Sequence, residues 1–469
     1  MTDVDAFHLP GLTADDVVRW HVREYGDAEV RLRTPVLQPA AIGRIAERLR
    51  AARARHLAEL PVAAVVDAIA ATAARLADPA DPHRRIADAA LPAATGYSPP
   101  MARLILDRML ADWRADALDS LLRAEFGDPA VLDAFRPGPR PGTRVRALGP
   151  ALAFHIFAGN VPGVAVAALI RSLLVKAATF GKSASGDPLL PALFARTLAD
   201  VSPELGTCIA ITYWAGGTTT LEAAALDAAD AVVVYGGADT VRDVRARVPA
   251  ETRLIVHGPR ISFALIGREA LTEDAADRTA ALAARATALF DQQGCVSPHV
   301  LYVEQGGDVA PEDFAARVSA ALERLRTELP RGRLTAAEAA VIHQVRGAAE
   351  FRTLDGQDVR IFAGPGTEHT VIYEADPTFT PSCLHRVVSV KPLLDLADAV
   401  ERVRPYARYL QTVGIVGAGK RRDALAERFA RAGASRITGL ETMPWPPAAW
   451  HHDGQEPLRE LIRWVDLED

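Results

Sequence analysis

The chain has 469 residues, too many for one ordinary hydrophobic core, so two or three lobes are expected. Its 53 basic and 59 acidic residues give a net charge of -6 and are scattered; with no basic stripe to neutralise a run of phosphates, nucleic acid is not an expected partner. A 49% hydrophobic and 24% charged composition excludes a disordered or fibrous chain, and three cysteines (Cys208, Cys295, Cys383) are too few for a disulfide framework but suit a reducing compartment.

The opening stretch, Met1 to Asp16, is acidic and lacks the basic start and apolar centre of a secretion signal. No apolar run reaches the roughly 18 to 20 residues needed to cross a bilayer. No membrane span and a cytoplasmic location are therefore expected. From about Pro39 to Phe135 the pattern is helical, with Ile42, Ile45, Leu49 and Leu57 at helical spacings. Pro137-Gly138-Pro139-Arg140-Pro141-Gly142 cannot continue a helix and sets a boundary near residue 140. Beyond it, short apolar runs alternate with helical segments: Ala151–Phe157, Cys208–Ile211, Ala231–Tyr235, Leu254–Val256, Val300–Val303 and Val387–Val390. That alternation predicts an α/β protein with largely parallel, buried strands. The last thirty residues bring Trp445, Trp450 and Trp464 into a Pro-rich and then helical tail, an apolar payload expected to be buried against a lobe or another subunit.

The best nucleophile candidate is Cys295, in Asp291-Gln292-Gln293-Gly294-Cys295-Val296-Ser297-Pro298. Leu282, Ala286, Leu289 and Phe290 share a helical face upstream, Gly294 is a natural C-cap, and a strand follows from Val300. Cys295 then sits in a helix-to-strand turn, where a side chain can point into a cleft; the alternative is a buried structural thiol. Cys208, inside an apolar run, reads as a core residue, and Cys383 as surface or packed. The segment Phe154-His155-Ile156-Phe157-Ala158-Gly159-Asn160-Val161-Pro162-Gly163 is a strand ending in a turn. There the Asn160 amide either donates to a developing oxyanion or supplies turn chemistry alone. His451-His452-Asp453 invites a metal reading, but adjacent histidines on an extended chain point to opposite faces, and a packing role is expected instead, with no metal site. There is no P-loop, no cysteine-pair zinc spacing and no G-x-S-x-G elbow. Gly417-Ala418-Gly419-Lys420 begins like a dinucleotide fingerprint, but Arg422 occupies the third glycine position.

Taken in order, Leu152 to Pro162, Ala178 to Ser185, Val232 to Thr240, Val256-His257-Gly258-Pro259-Arg260 and Gly294-Cys295 resemble the aldehyde dehydrogenase superfamily. The Ala-Gly-Asn-Val-Pro-Gly turn, the Gln-Gln-Gly-Cys-Val-Ser-Pro-His loop and the closing Trp450-His451-His452-Asp453-Gly454 look more specifically like the acyl-CoA reductase family of bacterial bioluminescence operons (LuxC-like), over roughly residues 145 to 469. The resemblance implies an α/β fold of the aldehyde dehydrogenase type, with two Rossmann-like lobes, a helical N-terminal region and a small oligomerisation extension. The expected division is a helical region over 1–140, an NADP-binding lobe over 141–256, a catalytic lobe over 257–435, and a segment over 436–469 packing back on the cofactor lobe or a neighbouring subunit.

It also implies roles. Cys295 would accept the acyl group, and Asn160 with the Cys295 backbone N–H would form the oxyanion hole. Lys182 would meet the adenosine ribose, with Ser185 near a 2'-phosphate, and Gly236, Gly237 and Thr240 would open the helix beside the cofactor pyrophosphate. Superfamily members bind their cofactor without a G-x-G-x-x-G turn, so its absence here agrees with NADPH as cofactor. Hydrolytic aldehyde dehydrogenases carry a water-activating glutamate where an ungapped reading places His257. Its loss agrees with an acyl-enzyme that exchanges with a thiol, and His257 itself is read as acid, base or filler. The implied activity is reduction of an acyl-CoA or carrier-bound thioester to an aldehyde. The alternatives are the oxidative direction and a non-catalytic acyl-carrying or scaffold subunit. An acyl-activating synthetase and further copies of the chain are the implied partners.

Overall fold

Each apolar run singled out in the sequence is a strand in the computed structural model, which describes residues 2–25 and 30–468. The chain forms two compact units, one comprising Met1–Gly258 with Pro447–Asp469 and the other Pro259–Pro446. No helix among the described residues is long and apolar enough to cross a membrane.

In the first unit a five-stranded, all-parallel sheet runs in the order Arg253–His257, Ala231–Tyr235, Leu152–Ile156, Ala178–Lys182, Ile209–Thr212. The central strands are buried on both faces, as strands between helical layers must be. On one face, Ile42, Ile45 and Leu49 of helix Pro39–His56 pack with Phe154 and Phe180. On the other, helices Val62–Ala77, Val164–Leu174 and Leu190–Val201 bury Ile69, Leu169 and Leu193. Each such fully buried side chain contributes about 1.5–3 kcal/mol.

The stretch expected to be helical, residues 1–140, opens instead on a three-stranded sheet: Thr2–Asp5 lies parallel to Val30–Leu37, with Val17–Tyr25 antiparallel on its other edge. The alternating β-branched and aromatic side chains of Val18, Trp20 and Val22 account for the strand. The helical reading holds from Pro39 to Phe126. The tail also departs from expectation. Arg463–Glu468 is a strand, paired antiparallel with Thr143–Leu148 at Val465↔Arg146, because a partner strand supplies the ladder that a lone segment lacks.

The second unit is built on a seven-stranded sheet in the order Val359–Ala363, Thr370–Glu374, Val387–Leu393, Pro298–Glu304, Ile261–Ile266, Leu410–Val416, Arg436–Thr438, parallel except at the first pair. The two-residue period sorts its core. Ala264 and Ile266 face Ala280, Ala283 and Phe314 of helices Glu273–Ala288 and Pro311–Glu328, while Phe263 and Leu265 face Leu425 and Phe429 of helix Arg422–Arg431. Residues 436–446 close this unit, and the chain rejoins the first at Pro447.

Candidate active site

Cys295 lies in the second unit, in a turn that enters strand Pro298–Glu304. The turn is not reached through a glycine C-cap at Gly294 as expected. Helix Glu273–Ala288 ends at Leu289, and Phe290, Asp291 and Gln292 follow in left-handed conformation (φ 57, 47 and 64°). Three consecutive non-glycine residues there cost about 1–2 kcal/mol each, so their side chains must be held. The Asp291 carboxylate accepts from Arg386 Nε at 2.9 Å and from the Gly332 N–H at 3.0 Å. Gln292 donates to the Pro298 carbonyl at 2.8 Å and accepts from the Val387 N–H at 3.0 Å, and Phe290 packs edge-on against Trp445 with centroids 4.8 Å apart. Arg386 itself closes a second left-handed run, Leu384 to Arg386 (φ 68, 56 and 65°), and its Nη1 donates to the Leu329 carbonyl at 2.9 Å. Gly294 is required for space, since a Cβ there would stand 2.9 Å from the Phe290 ring.

Cys295 is half-buried and in no disulfide. Its carbonyl accepts from Ser262 Oγ at 2.6 Å, and that hydroxyl accepts from the Thr412 N–H at 3.1 Å. Arg436, paired with Thr412 across the next strand, lies within electrostatic reach of the sulfur. Burial pulls Arg436 down to about 10 while a Cys295 thiolate works in the opposite direction. The turn can therefore present a nucleophilic sulfur beside a cation, the setting that favours thiolate over thiol. Cys208 also has a cation, Arg53, within electrostatic reach, but it is fully buried and its thiol is pushed up to about 11; burial also raises Cys383.

The remaining candidates lie in the first unit. Its strand order reverses between Leu152–Ile156 and Ala231–Tyr235, and in open α/β sheets the carboxyl ends of strands at such a switch are where ligands bind. Asn160 follows the first of these strands, in a turn whose backbone is tied down on three sides. Tyr97 Oη donates to the Asn160 carbonyl, and Gly159 lies so close to the 186–187 backbone that a Cβ would meet the Asp187 nitrogen at 2.7 Å. Asp187, pushed up to about 6 by burial, accepts from the Leu190 backbone N–H at 3.1 Å.

Gly236, Gly237 and Thr240 share one turn after Ala231–Tyr235. Gly237 is the N-cap of helix Ala238–Arg247, no side chain caps it, and the position of a Gly237 Cβ is open space. A Gly236 Cβ would be 3.0 Å from Thr240. An uncapped helix start fronted by glycine leaves backbone N–H groups for an anion.

Lys182 ends the strand on the other side. Its Nζ is 5.9 Å from the Trp214 ring and 3.7 Å from Glu222, which also accepts from Arg247 at 2.7 Å; Ser185 is exposed beyond it. Two cations on one carboxylate leave a positive surplus. Trp214, Glu222 and Arg247 carry no local sequence signal, because only folding brings them to Lys182.

His257 ends strand Arg253–His257. Its Nδ1 is 2.9 Å from Asp453 Oδ2, and its ring stacks on Tyr235 at 4.3 Å and on His452 at 4.6 Å, with Trp450 stacked beyond at 4.8 Å. Asp453 is an unforeseen member of this site. His155, on the same face of the sheet in strand Leu152–Ile156, is held near 3 by burial, with a smaller repulsion from His257.

Comparison with known proteins agrees with this architecture. The family model for acyl-CoA reductase (LuxC) matches residues 57–464. The long-chain acyl-protein thioester reductase of Vibrio harveyi is 26% identical over 385 residues, covering 80% of this chain and 76% of that protein. Among solved structures, the putative aldehyde dehydrogenase PutA from Anabaena variabilis superposes with TM-score 0.74 at 18% identity, covering 96% of this chain and 97% of the other. The NADP-dependent glyceraldehyde-3-phosphate dehydrogenase from Bacillus halodurans, complexed with NADP, does so with TM-score 0.75 at 15% identity and 96% of each chain. These likenesses establish the aldehyde dehydrogenase fold, and the family match over residues 57–464 makes this chain a member of the acyl-CoA reductase (LuxC) family.

Proposed function

We propose that this protein reduces an acyl thioester, carried by coenzyme A or a carrier protein, to an aldehyde, with NADPH as reductant and Cys295 as the acyl-bearing residue. The observation that carries the reading is the Cys295 turn. A sulfur in no disulfide, in reach of Arg436, is held by a strained and cross-braced backbone in a chain of the acyl-CoA reductase family.

The first-unit residues fit a nicotinamide dinucleotide. The open space at Gly237 admits the pyrophosphate against the start of helix Ala238–Arg247, and the positive surplus around Lys182 and Arg247, with exposed Ser185, suits a 2'-phosphate and so favours NADPH over NADH. When bound, the nicotinamide supplies the hydride that reduces the acyl-enzyme.

The protein's own residues do the rest. The Cys295 thiolate adds to the thioester carbonyl, Asn160 donates to the oxyanion, and the carbon–sulfur bond to the donor breaks, leaving an acyl-Cys295. His257 takes the thiol proton of Cys295 and gives it to the departing thiolate. After reduction, the bond between Cys295 and carbon breaks, the aldehyde leaves, and the thiolate recovers a proton from solvent. Thioester, NADPH and one proton give aldehyde, free thiol and NADP+. A cytoplasmic location, an acyl-activating synthetase as donor of the acyl group and a homo-oligomeric assembly belong to the same proposal.

The test is NADPH absorbance decay with a panel of acyl-CoA thioesters, for wild type and Cys295→Ala. Decay with aldehyde formation in wild type and none in the variant is the expected result. NADPH binding without decay on either acyl-CoA or acyl-carrier protein would refute reduction in favour of the oxidative direction, and absence of NADPH binding would leave an acyl-carrying subunit.

A further inference from the structure

We infer that Asp453 is the positioning residue for His257, holding the imidazole proton on Nδ1 so that Nε2 is the nitrogen that exchanges protons during acyl transfer. The inference rests on the proposed reading of His257 as the acid–base group of thioester reduction.

The two side chains come from segments 196 residues apart and meet at 2.9 Å, with the Asp453 side chain 1% exposed and that of His257 9%. An ionised carboxylate only accepts, so a hydrogen bond at that distance places the proton on Nδ1 and leaves Nε2 with its lone pair. Tyr235 and His452 hem in the ring, with centroids 4.3 and 4.6 Å away and interplanar angles of 15° and 24°.

The backbone is shaped to deliver the carboxylate. Asp453 adopts φ 60°, a left-handed conformation that a non-glycine residue holds only when its surroundings impose it. It is imposed by a turn in which the Gly454 N–H donates to the His451 carbonyl and the Gln455 N–H to the His452 carbonyl, each at 3.0 Å. Gln455 Nε2 then donates to the Val256 carbonyl at 3.2 Å, fastening that turn beside His257.

One polar atom each of His257, His452 and Asp453 lies within 4.8 Å of the others. Within that cluster Nδ1 of His257 and Oδ2 of Asp453 form a carboxylate–imidazole pair, with Tyr235 and His452 packed against the imidazole. The cavity lined by Tyr235, His257 and His452 also holds the titratable groups His155, Arg171, Glu456 and Glu460, so a pH response must be assigned by substitution.

The experiment measures transfer of a labelled acyl group from acyl-CoA to Cys295, without NADPH, across pH 5–9. It compares wild type, Asp453→Asn, His257→Asn and the double variant, with thermal midpoints and NADPH binding as checks on folding. The wild-type rate rises through an acid limb as His257 loses its proton. Asp453→Asn should slow transfer about 100-fold and move that limb down by about one pH unit, because the neutral amide no longer stabilises the imidazolium. The double variant should be no slower than the slower single, since the two act as a unit. Should Asp453→Asn not fold, Asp453→Glu keeps the charge, and its limb should stay in place with a lower plateau; a limb that moved would overturn the inference. If His257→Asn abolishes the limb while Asp453→Asn leaves rate and limb unchanged, Asp453 is refuted and His257 stands. If His257→Asn transfers at the wild-type rate, the reading beneath it fails as well.

Discussion

Removing Arg386 tests whether the left-handed turn before Cys295 is held by its side chains. In Arg386→Gln the Asp291 carboxylate, 4% exposed, keeps the Gly332 N–H but loses its ion pair at 2.7 Å, and the Leu329 carbonyl loses its donor. Breaking one side of a buried pair costs about 3–5 kcal/mol, and the orphaned carbonyl adds about 1 kcal/mol. For a unit of this size that lowers the thermal midpoint by roughly 8 to 24 °C. A second effect follows from the backbone. Phe290, Asp291 and Gln292 store about 3–6 kcal/mol together, and once the clamp is gone the segment relaxes and carries Cys295 with it. Calorimetry on Arg386→Gln, Asp291→Asn and the double variant gives the coupling energy, and acyl transfer to Cys295 reads the position of the sulfur. The double variant should cost about 2–3 kcal/mol less than the sum of the singles. A coupling below about 0.5 kcal/mol, or an Arg386 variant that acylates at the wild-type rate, would refute the clamp.

Further outcomes are expected elsewhere. Asn160→Ala should lose about 3–4 kcal/mol of transition-state stabilisation, a 100- to 1000-fold fall in turnover; near-normal steady-state rates would remove Asn160 from the mechanism. Arg436→Gln should slow alkylation of Cys295 by iodoacetamide at pH 7 and move its pH profile upward, whereas a superimposable profile would mean that Arg436 serves only its backbone carbonyls, Met443 and Thr442. His299 is lowered to about 4 by burial, so between its ordinary value near 6.5 and pH 4 the unfolded chain takes up the proton and the folded one does not. Stability then falls with acidification by about 1.4 kcal/mol per pH unit from this group. In His299→Gln the fall should be shallower over that window, and thermal midpoints that run parallel from pH 7 to 4.5 would contradict it.

What the sequence disclosed follows from where its signals are local. Ala231–Tyr235 is an unbroken apolar run, and the strand has the same limits. Val300–Val303 was legible for the same reason, although the strand extends to Pro298 and Glu304 because neighbours supply the ladder. The turn before Cys295 was misread: Gly294 advertises a helix cap, while Phe290, Asp291 and Gln292 advertise nothing left-handed, because what holds them comes from Arg386, Gly332, Pro298 and Val387. Cys295 could be nominated from its turn, but Arg436, one strand beyond Thr412, could not. Likewise Lys182 could be picked out by its place in an order of motifs, whereas Glu222 and Trp214 become its neighbours only across the sheet. Asp453 stood in a run that looked like packing or metal chemistry, and only pairing with a strand end 196 residues earlier reveals its carboxylate facing an imidazole.

The second unit is a continuous insertion, entered at Pro259 and left at Pro446, inside a first unit that is completed only by the tail. Order of synthesis and order of completion therefore differ. The strand Thr143–Leu148 emerges from the ribosome about 300 residues before its partner Arg463–Glu468, a delay of roughly 15 to 60 s at 5–20 residues per second. By the end of that interval the inserted unit has all its strands available, while the older segment still lacks both an edge strand and the carboxylate that meets His257. The nascent chain must carry an unfinished first unit past a finished second one, and a chain cut just short of residue 447 would have the unit that carries Cys295 whole and the unit that carries His257 open.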